Sequence, residues 1–301
     1  MKIALISTVF NEGEGVFAWA AALRAQTRMP DEFVIVDGGS TDGTPERLQK
    51  AFAGGGFPVP KIIVEKCNIA RGRNLAIQNC TAEIIAATDA GSFAAADWLA
   101  EITRPLLADA ALDVVGGCST PLVENDFQRL LLLLDGPETA PRTPAEIFPS
   151  SRNTAFRRSA WTAVGGYPEW LTRWAEDALF NFQLHALGKH YFYNPRASVA
   201  WPVRPDAKSY FQMLRNYGYG AAEARLYAPY FRRRLLIALC PPLVLLSRWR
   251  TRHAGFRYRK NFASARGWLM GFLRGQRAPA DWRRIDGVWF SPAAQMTRGK
   301  K

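Results

Sequence analysis

The sequence predicts an α/β fold: a mainly parallel sheet flanked by helices, followed by a basic, mostly helical C-terminal extension. Three observations carry this. Strand-like and helix-like runs alternate through roughly the first 118 residues, the pattern of successive βαβ units. Two of the strands end in a carboxylate followed by small residues, at Asp37-Gly38-Gly39 and at Asp89-Ala90-Gly91. Charge is also divided along the chain. Residues 1–203 hold 18 Lys/Arg against 22 Asp/Glu and residues 204–301 hold 21 against 4, so the net +13 splits into −4 and +17.

The first strand is the apolar run 3–9, leading into Phe10-Asn11-Glu12. A helix over 15–26 shows Val16, Phe17, Trp19, Ala20 and Leu23 at helical spacing. The second strand, 32–36, ends at Asp37; Thr44 then caps a helix with Pro45 in its first position and Glu46 in its first turn. Strand 62–64, helix 70–78 and strand 84–88 follow, then a helix over about 95–107 and a strand at 114–116. The stretch 119–150 has little periodicity and reads as a link, with the character of a flap, between a donor half and an acceptor half. Helix-like 160–164, a Gly165-Gly166-Tyr167-Pro168 turn, a helix from Glu176-Asp177 to about Leu187 and a strand at 197–200 complete this part.

With 301 residues, 48% of them hydrophobic, the chain can bury a sizeable core in one or two domains. The four cysteines are widely spaced and include no Cys-x-x-Cys pair, which predicts neither a disulfide framework nor a zinc knuckle and fits a reducing compartment. The run 3–10 follows a single Lys and lacks a small-residue cleavage site, so it reads as a strand and not as a signal peptide.

Chemistry is expected at the C-terminal edge of the sheet, where open α/β sheets bind ligands. Strands ending at Thr8-Val9-Phe10-Asn11-Glu12, at Asp37 and at Asp89 bring acids and an aromatic ring to that edge. This set suits a nucleotide whose base stacks and whose ribose hydroxyls meet acids. A Gly-x-Gly-x-x-Gly after the first strand and a Gly-Lys-Ser/Thr loop are both missing, which disfavours dinucleotide and P-loop readings.

The ordered set Ser7-Thr8-Val9-Phe10-Asn11-Glu12, Asp37 to Thr44, Ala70-Arg71-Gly72-Arg73-Asn74, Asp89-Ala90-Gly91, Asn153 to Arg158, Gly165-Gly166-Tyr167-Pro168 and Trp174-Ala175-Glu176-Asp177 resembles family 2 glycosyltransferases of the GT-A fold. The resemblance spans roughly residues 1–200. It implies a GT-A catalytic domain over 1–203, with a donor half at about 1–118 and an acceptor half at about 150–203. It also implies an inverting transfer from a nucleotide-sugar donor to a hydroxyl of a glycan or glycolipid acceptor. By resemblance Thr8, Phe10, Asn11, Glu12 and Asp37 belong to the donor site. Asp89, Ala90 and Gly91 would lie near the ribose and diphosphate, and Asp177, beside Glu176, would be the general base. Trp174 is a candidate for stacking on the acceptor sugar, as is Trp170. In many relatives an Asp-x-Asp motif holds a divalent cation that neutralises the leaving diphosphate. Gly91 replaces its second acid here, and Trp201 follows the last strand where the family often has a histidine. Asp89 alone could then hold Mg²⁺ or Mn²⁺ through the diphosphate, the preferred expectation; the alternative gives the phosphates to Arg71 and Arg73 at a helix start. His185 reads as a packing or surface residue.

The basic part, 204–301, begins with a helix over 208–227 and continues through Arg232-Arg233-Arg234, the uncharged run 235–247 and Arg248, Arg250 and Arg252. Thirteen residues broken by Pro241-Pro242 are too few for the ~20 of a spanning helix, so an interfacial segment at a membrane surface is expected. The stretch 262–272 repeats that mixture. Together these place the chain at the inner face of the cell membrane, acting on lipid-linked or envelope polysaccharide. Three other functions compete: a nucleotidyltransferase, a catalytically inactive nucleotide-sugar scaffold, and a nucleic-acid-binding protein using the basic part. The last would bind with steep salt dependence, yet the aromatics cluster with aliphatics, so no nucleic-acid partner is expected.

Overall fold

The computed structural model describes residues 1–135, 140–239 and 253–299. An eight-stranded, mostly parallel sheet has the order β3-β2-β1-β4-β7-β6-β8-β5. Its strands are β1 (Ile3–Val9), β2 (Glu32–Asp37), β3 (Lys61–Val64), β4 (Ile84–Ala87), β5 (Phe93–Ala94), β6 (Val114–Leu122), β7 (Thr154–Arg157) and β8 (Tyr191–Pro202). The first four are parallel; β7 runs antiparallel between β4 and β6, and β8 is parallel to β6. The chain leaves β1 toward β2 on one side and returns to β4 on the other, so a crevice opens at the C-terminal ends of β1 and β4.

Helices cover both faces, which is why the central strands are apolar throughout instead of alternating. Trp19 of α1 (Gly15–Arg24) and Trp98 of α4 (Trp98–Ala108) are fully buried with Ile3, Leu5 and Ile35. On the other face α3 (Ile69–Gln78), α6 (Arg158–Val164) and α7 (Glu176–Ala186) pack on Ala4, Ile6 and Ile85. α2 (Thr44–Ala51) begins after Gly43, whose positive φ (81°) makes it the cap; Thr44 is already helical. The Thr44 hydroxyl donates to Asp42 Oδ1 and accepts from the Glu12 and Gly13 amides, tying the end of β1 to the loop after β2.

Four strands exceed or escape the sequence-based expectation. β6 and β8 run on to Leu122 and Pro202, across a register shift at Gly117/Cys118. Asn153 fills that irregularity: its amide donates to Cys118 O and Ala197 O and accepts from Trp98 Nε1. β7 and β5 are too short for periodicity to mark them. Within 119–150 lies a helix, α5 (Asp126–Asp135), and a 3₁₀ turn at Pro144–Glu146.

Beyond β8 the chain forms α8 (Ala207–Glu223), α9 (Ala228–Leu239) and α10 (Ala254–Arg274). α8 and α10 approach through glycines. A Cβ on Gly218 would stand 2.4 Å from Ser264 O, and one on Gly267 would stand 2.1 Å from Arg215 O. Of the uncharged run 235–247, residues from Cys240 onward, with Arg248, Arg250 and Arg252, lie outside the described residues. No helix among the described residues is long and apolar enough to cross a membrane. The chain ends in a hairpin, β9 (Arg283–Ile285) and β10 (Val288–Phe290), and α11 (Pro292–Arg298), which return to the main core. Phe290 is fully buried beside α6 and α7, Ser291 Oγ donates to Val164 O, and Gln183 Nε2 donates to Trp289 O.

Candidate functional site

A cavity of about 900 Å³ opens at the crevice predicted by the strand order. Of the expected residues, Thr8, Phe10, Glu12, Arg73, Asp89, Ala90, Trp174, Glu176 and Asp177 line it. The strand ends supply Thr8 and Phe10 from β1 and Asp89 just after β4. Phe10 is 60% exposed, so its ring is presented at the mouth instead of being spent on the core.

Asp37, Asn11, Arg71 and Gly91 are not among the lining residues. Asp37 is fully buried at the end of β2, where Oδ1 accepts the amides of Gly39 and Ser40 at 2.9 and 2.6 Å while Oδ2 has no partner. Asn11 has a positive φ of 53°; its amide donates to Ser40 Oγ and its Oδ1 accepts from the Thr41 amide. Arg71 donates to Glu65 at 3.0 Å and lies 3.7 Å from Glu169.

Arg73 links the two sides of the cavity. It is buried on α3 and donates to Asp89 Oδ1 at 2.8 Å and to Glu176 Oε1 at 2.5 Å. Burial alone would depress its pKa; the charges of Asp89 and Glu176 more than offset that and raise it. Glu176 is pushed up to about 7, by burial first and by the Asp177 charge second, with Arg73 opposing. Its Oε2 has no hydrogen-bond partner among the described residues. Asp177, the next residue, lines the cavity, and its Oδ1 accepts from the Ala178 amide. The pair is delivered by a strained turn: Ala175, immediately before it, has φ 110°, a conformation that a non-glycine residue adopts only when its surroundings force it. α8 packs directly against this turn. A Cβ on Gly220 would lie 1.5 Å from Trp174 O, so the helix backbone is pressed against this turn.

Glu12 stands where the second acid of an Asp-x-Asp motif is missing. A Cβ on Gly91 would lie 3.4 Å from Glu12 Oε2. Burial raises the pKa of Glu12 first, and the charges of Asp89 and Asp42 raise it further. Asp89 keeps one oxygen after Arg73 takes the other. Among the described residues no three His, Cys, Asp or Glu converge. Two carboxylates nevertheless fit a hard cation that keeps waters and substrate phosphates as its remaining ligands.

The far wall was not foreseen. Arg152, Arg173, Arg204, Asn216, Tyr217 and Tyr219 line it. They come from the turn before β7, the loop before α7, the segment after β8 and α8. Trp174 lies beside Tyr217, ring centroids 4.5 Å apart, whereas Trp170 packs in a half-buried cluster with Trp282 and Trp289. His185 is a packing residue, stacked on Tyr191 at 4.0 Å and hydrogen-bonded to Ile147 O. Tyr217 and Tyr219, flanking Gly218 in a helix that also carries Tyr210 and Phe211, were the available sequence signal.

Residues 5–164 of this chain, a little over half of it, match the family described as Glycosyl transferase family 2. The fold is similar to that of the mannosyltransferase PcManGT from Pyrobaculum calidifontis, whose structure is a complex with GDP-Man and Mn²⁺. Identity is 19% and the TM-score 0.67, covering 91% of this chain and 88% of that one. It is also similar to S. aureus TarS 1-349 in complex with UDP, with 15% identity, a TM-score of 0.52 and 96% of each chain covered. No curated protein matches the sequence.

Proposed function

This chain belongs to glycosyl transferase family 2 and is a glycosyltransferase with the GT-A fold, and we propose that it moves a sugar from a nucleoside diphosphate-sugar to an acceptor hydroxyl with inversion. The carrying observation is a single cavity in which Asp177 faces the same space as the Glu12–Asp89 pair. Thr8 and Phe10 take the base and ribose side, with Asp37 closing it from beneath. Asp177 accepts the proton of the acceptor hydroxyl as its oxygen attacks the anomeric carbon, opposite the leaving diphosphate. Arg73 fixes Asp89 and Glu176 at a set spacing, so donor side and base side are positioned together. Trp174 offers a ring to the acceptor sugar. Asp89 and Glu12 are the residues that would hold a divalent cation, which when bound neutralises charge on the departing diphosphate.

Melting curves with UDP, GDP, dTDP and CDP, each with Mn²⁺ and with EDTA, test this. One diphosphate should stabilise the chain by about 2.7 kcal/mol at 100 times its dissociation constant, and EDTA should remove most of that. No shift with any of them contradicts the donor site.

We assign residues 1–203 to the catalytic part and 204–301 to a membrane-contacting part that also walls the cavity. Support comes from Leu236, Leu239, Phe262, Phe272 and Leu273, exposed on α9 and α10 among exposed Arg232, Arg233, Arg266 and Arg274. Such a surface suits the headgroup region of anionic lipid and a lipid-linked acceptor. Co-sedimentation with anionic but not neutral vesicles is expected; equal recovery with both counts against it.

A further inference from the structure

We infer that Arg152, Arg173 and Arg204 form a subsite for a phosphoryl anion in the far wall of the cavity, separate from the Glu12–Asp89 pair. Which molecule brings the anion depends on the glycosyltransfer reading above; the subsite itself does not.

The three arginines reach one cavity from three segments distant in sequence. Among the described residues none of them makes an ion pair, whereas Arg73 spends its charge on Asp89 and Glu176. Each guanidinium lies over an aromatic ring, which orients it even though Arg173 and Arg204 are exposed. Arg152 is 4.3 Å from the Trp201 ring centre, Arg173 is 4.9 Å from that of Tyr219 and Arg204 is 5.9 Å from that of Trp174. An arginine held by its face keeps its in-plane N–H donors free, the orientation that grips a phosphate bidentately. Among the described residues one such donor is spent, from Arg173 to Asn216 Oδ1.

The charge pairing agrees. The cavity lining holds four carboxylates, Glu12, Asp89, Glu176 and Asp177, against four arginines; Arg73 is paired with two of the acids, so the arginines of the far wall are the ones left without a carboxylate partner among the described residues. The arginines also flank the reacting region: Tyr217 feels the charge of Asp177 as well as those of Arg152 and Arg204, and Glu12 feels that of Arg204. An anion here lies within the field of the base and the donor carboxylates. Two sources have the right chemistry: the diphosphate of the sugar donor, or a phosphate carried by the acceptor.

Calorimetric titration of the full-length chain separates them. The probes are inorganic pyrophosphate, the nucleoside diphosphate that stabilises the wild type, and octyl phosphate. The variants are Arg152→Gln/Arg204→Gln and Arg152→Lys/Arg204→Lys, each checked by melting; the Lys pair keeps the charge and serves if the Gln pair does not fold. If the donor supplies the anion, pyrophosphate and nucleoside diphosphate bind about tenfold or more weakly in the Gln pair while octyl phosphate is unaffected. If the acceptor supplies it, octyl phosphate weakens by that factor and the nucleoside diphosphate does not. In both cases the Lys pair falls between wild type and the Gln pair, because a point charge lacks the fork. Unchanged affinity for all three probes, or no binding of any of them to the wild type, overturns the subsite. Arginine-dependent pyrophosphate binding without nucleoside diphosphate binding would leave the subsite standing and the glycosyltransfer reading refuted.

Discussion

The two walls of the cavity are built by different means. The wall proposed for the donor is made of strand ends: β1 delivers Thr8 and leads to Phe10, β4 leads to Asp89, and parallel pairing aligns them without further help. The far wall is assembled from the turn before β7, the strained turn at Ala175, the segment after β8 and one face of α8. The first wall follows from local strand geometry, while the second depends on helix α8 being pressed into place by α10 through side-chain-free contacts. Stability and catalysis should therefore be coupled more tightly in the second wall than in the first.

The largest effect is expected where the walls are joined. Arg73→Met leaves Asp89 and the buried Glu176 without their partner and should cost about 3 kcal/mol, read by denaturant unfolding. A loss near zero would mean that the walls are not tied through this residue. Next comes Gly220→Ala. Its methyl has no room beside Trp174 O, so the turn carrying Glu176-Asp177 must shift; about 1–3 kcal/mol of stability should be lost along with turnover. Donor binding on the opposite wall should change little, and equal damage to both would erase the contrast.

A further contrast lies in pH dependence. Glu176 has a folded-state pKa raised above its unfolded value, so its contribution to stability is fully present below about 4.5 and is lost as pH rises through about 7. Wild-type stability relative to Glu176→Gln should fall across that window. A rise instead would show that Arg73 outweighs burial and Asp177 at this carboxyl.

The donor wall was legible because a strand that ends in Asp before small residues leaves a mark in a few consecutive positions. The end of the first strand marked Glu12 in a similar way, whereas the Glu176-Asp177 pair, in the first turn of a helix, was marked by the resemblance to family 2 glycosyltransferases. It did not show that Glu12 occupies the room beside Gly91, nor that Arg73 would be taken by two carboxylates, since both facts join segments far apart in sequence. Arg152, Arg173 and Arg204 carry no local signature: each reads as an ordinary surface arginine until the aromatic ring beneath it is known. The terminal hairpin and α11 escaped because three-residue strands show no period, although Phe290 completes the main core.

The central claim is that Asp177 acts as base on a donor held by the opposite wall. Its most direct test compares wild type with Asp177→Asn for two quantities: affinity for the stabilising nucleoside diphosphate, and the rate at which the matching sugar nucleotide releases it. The account predicts unchanged affinity with a rate lower by about 10²–10⁴-fold. An unchanged rate, or lost affinity with the fold intact, would contradict it.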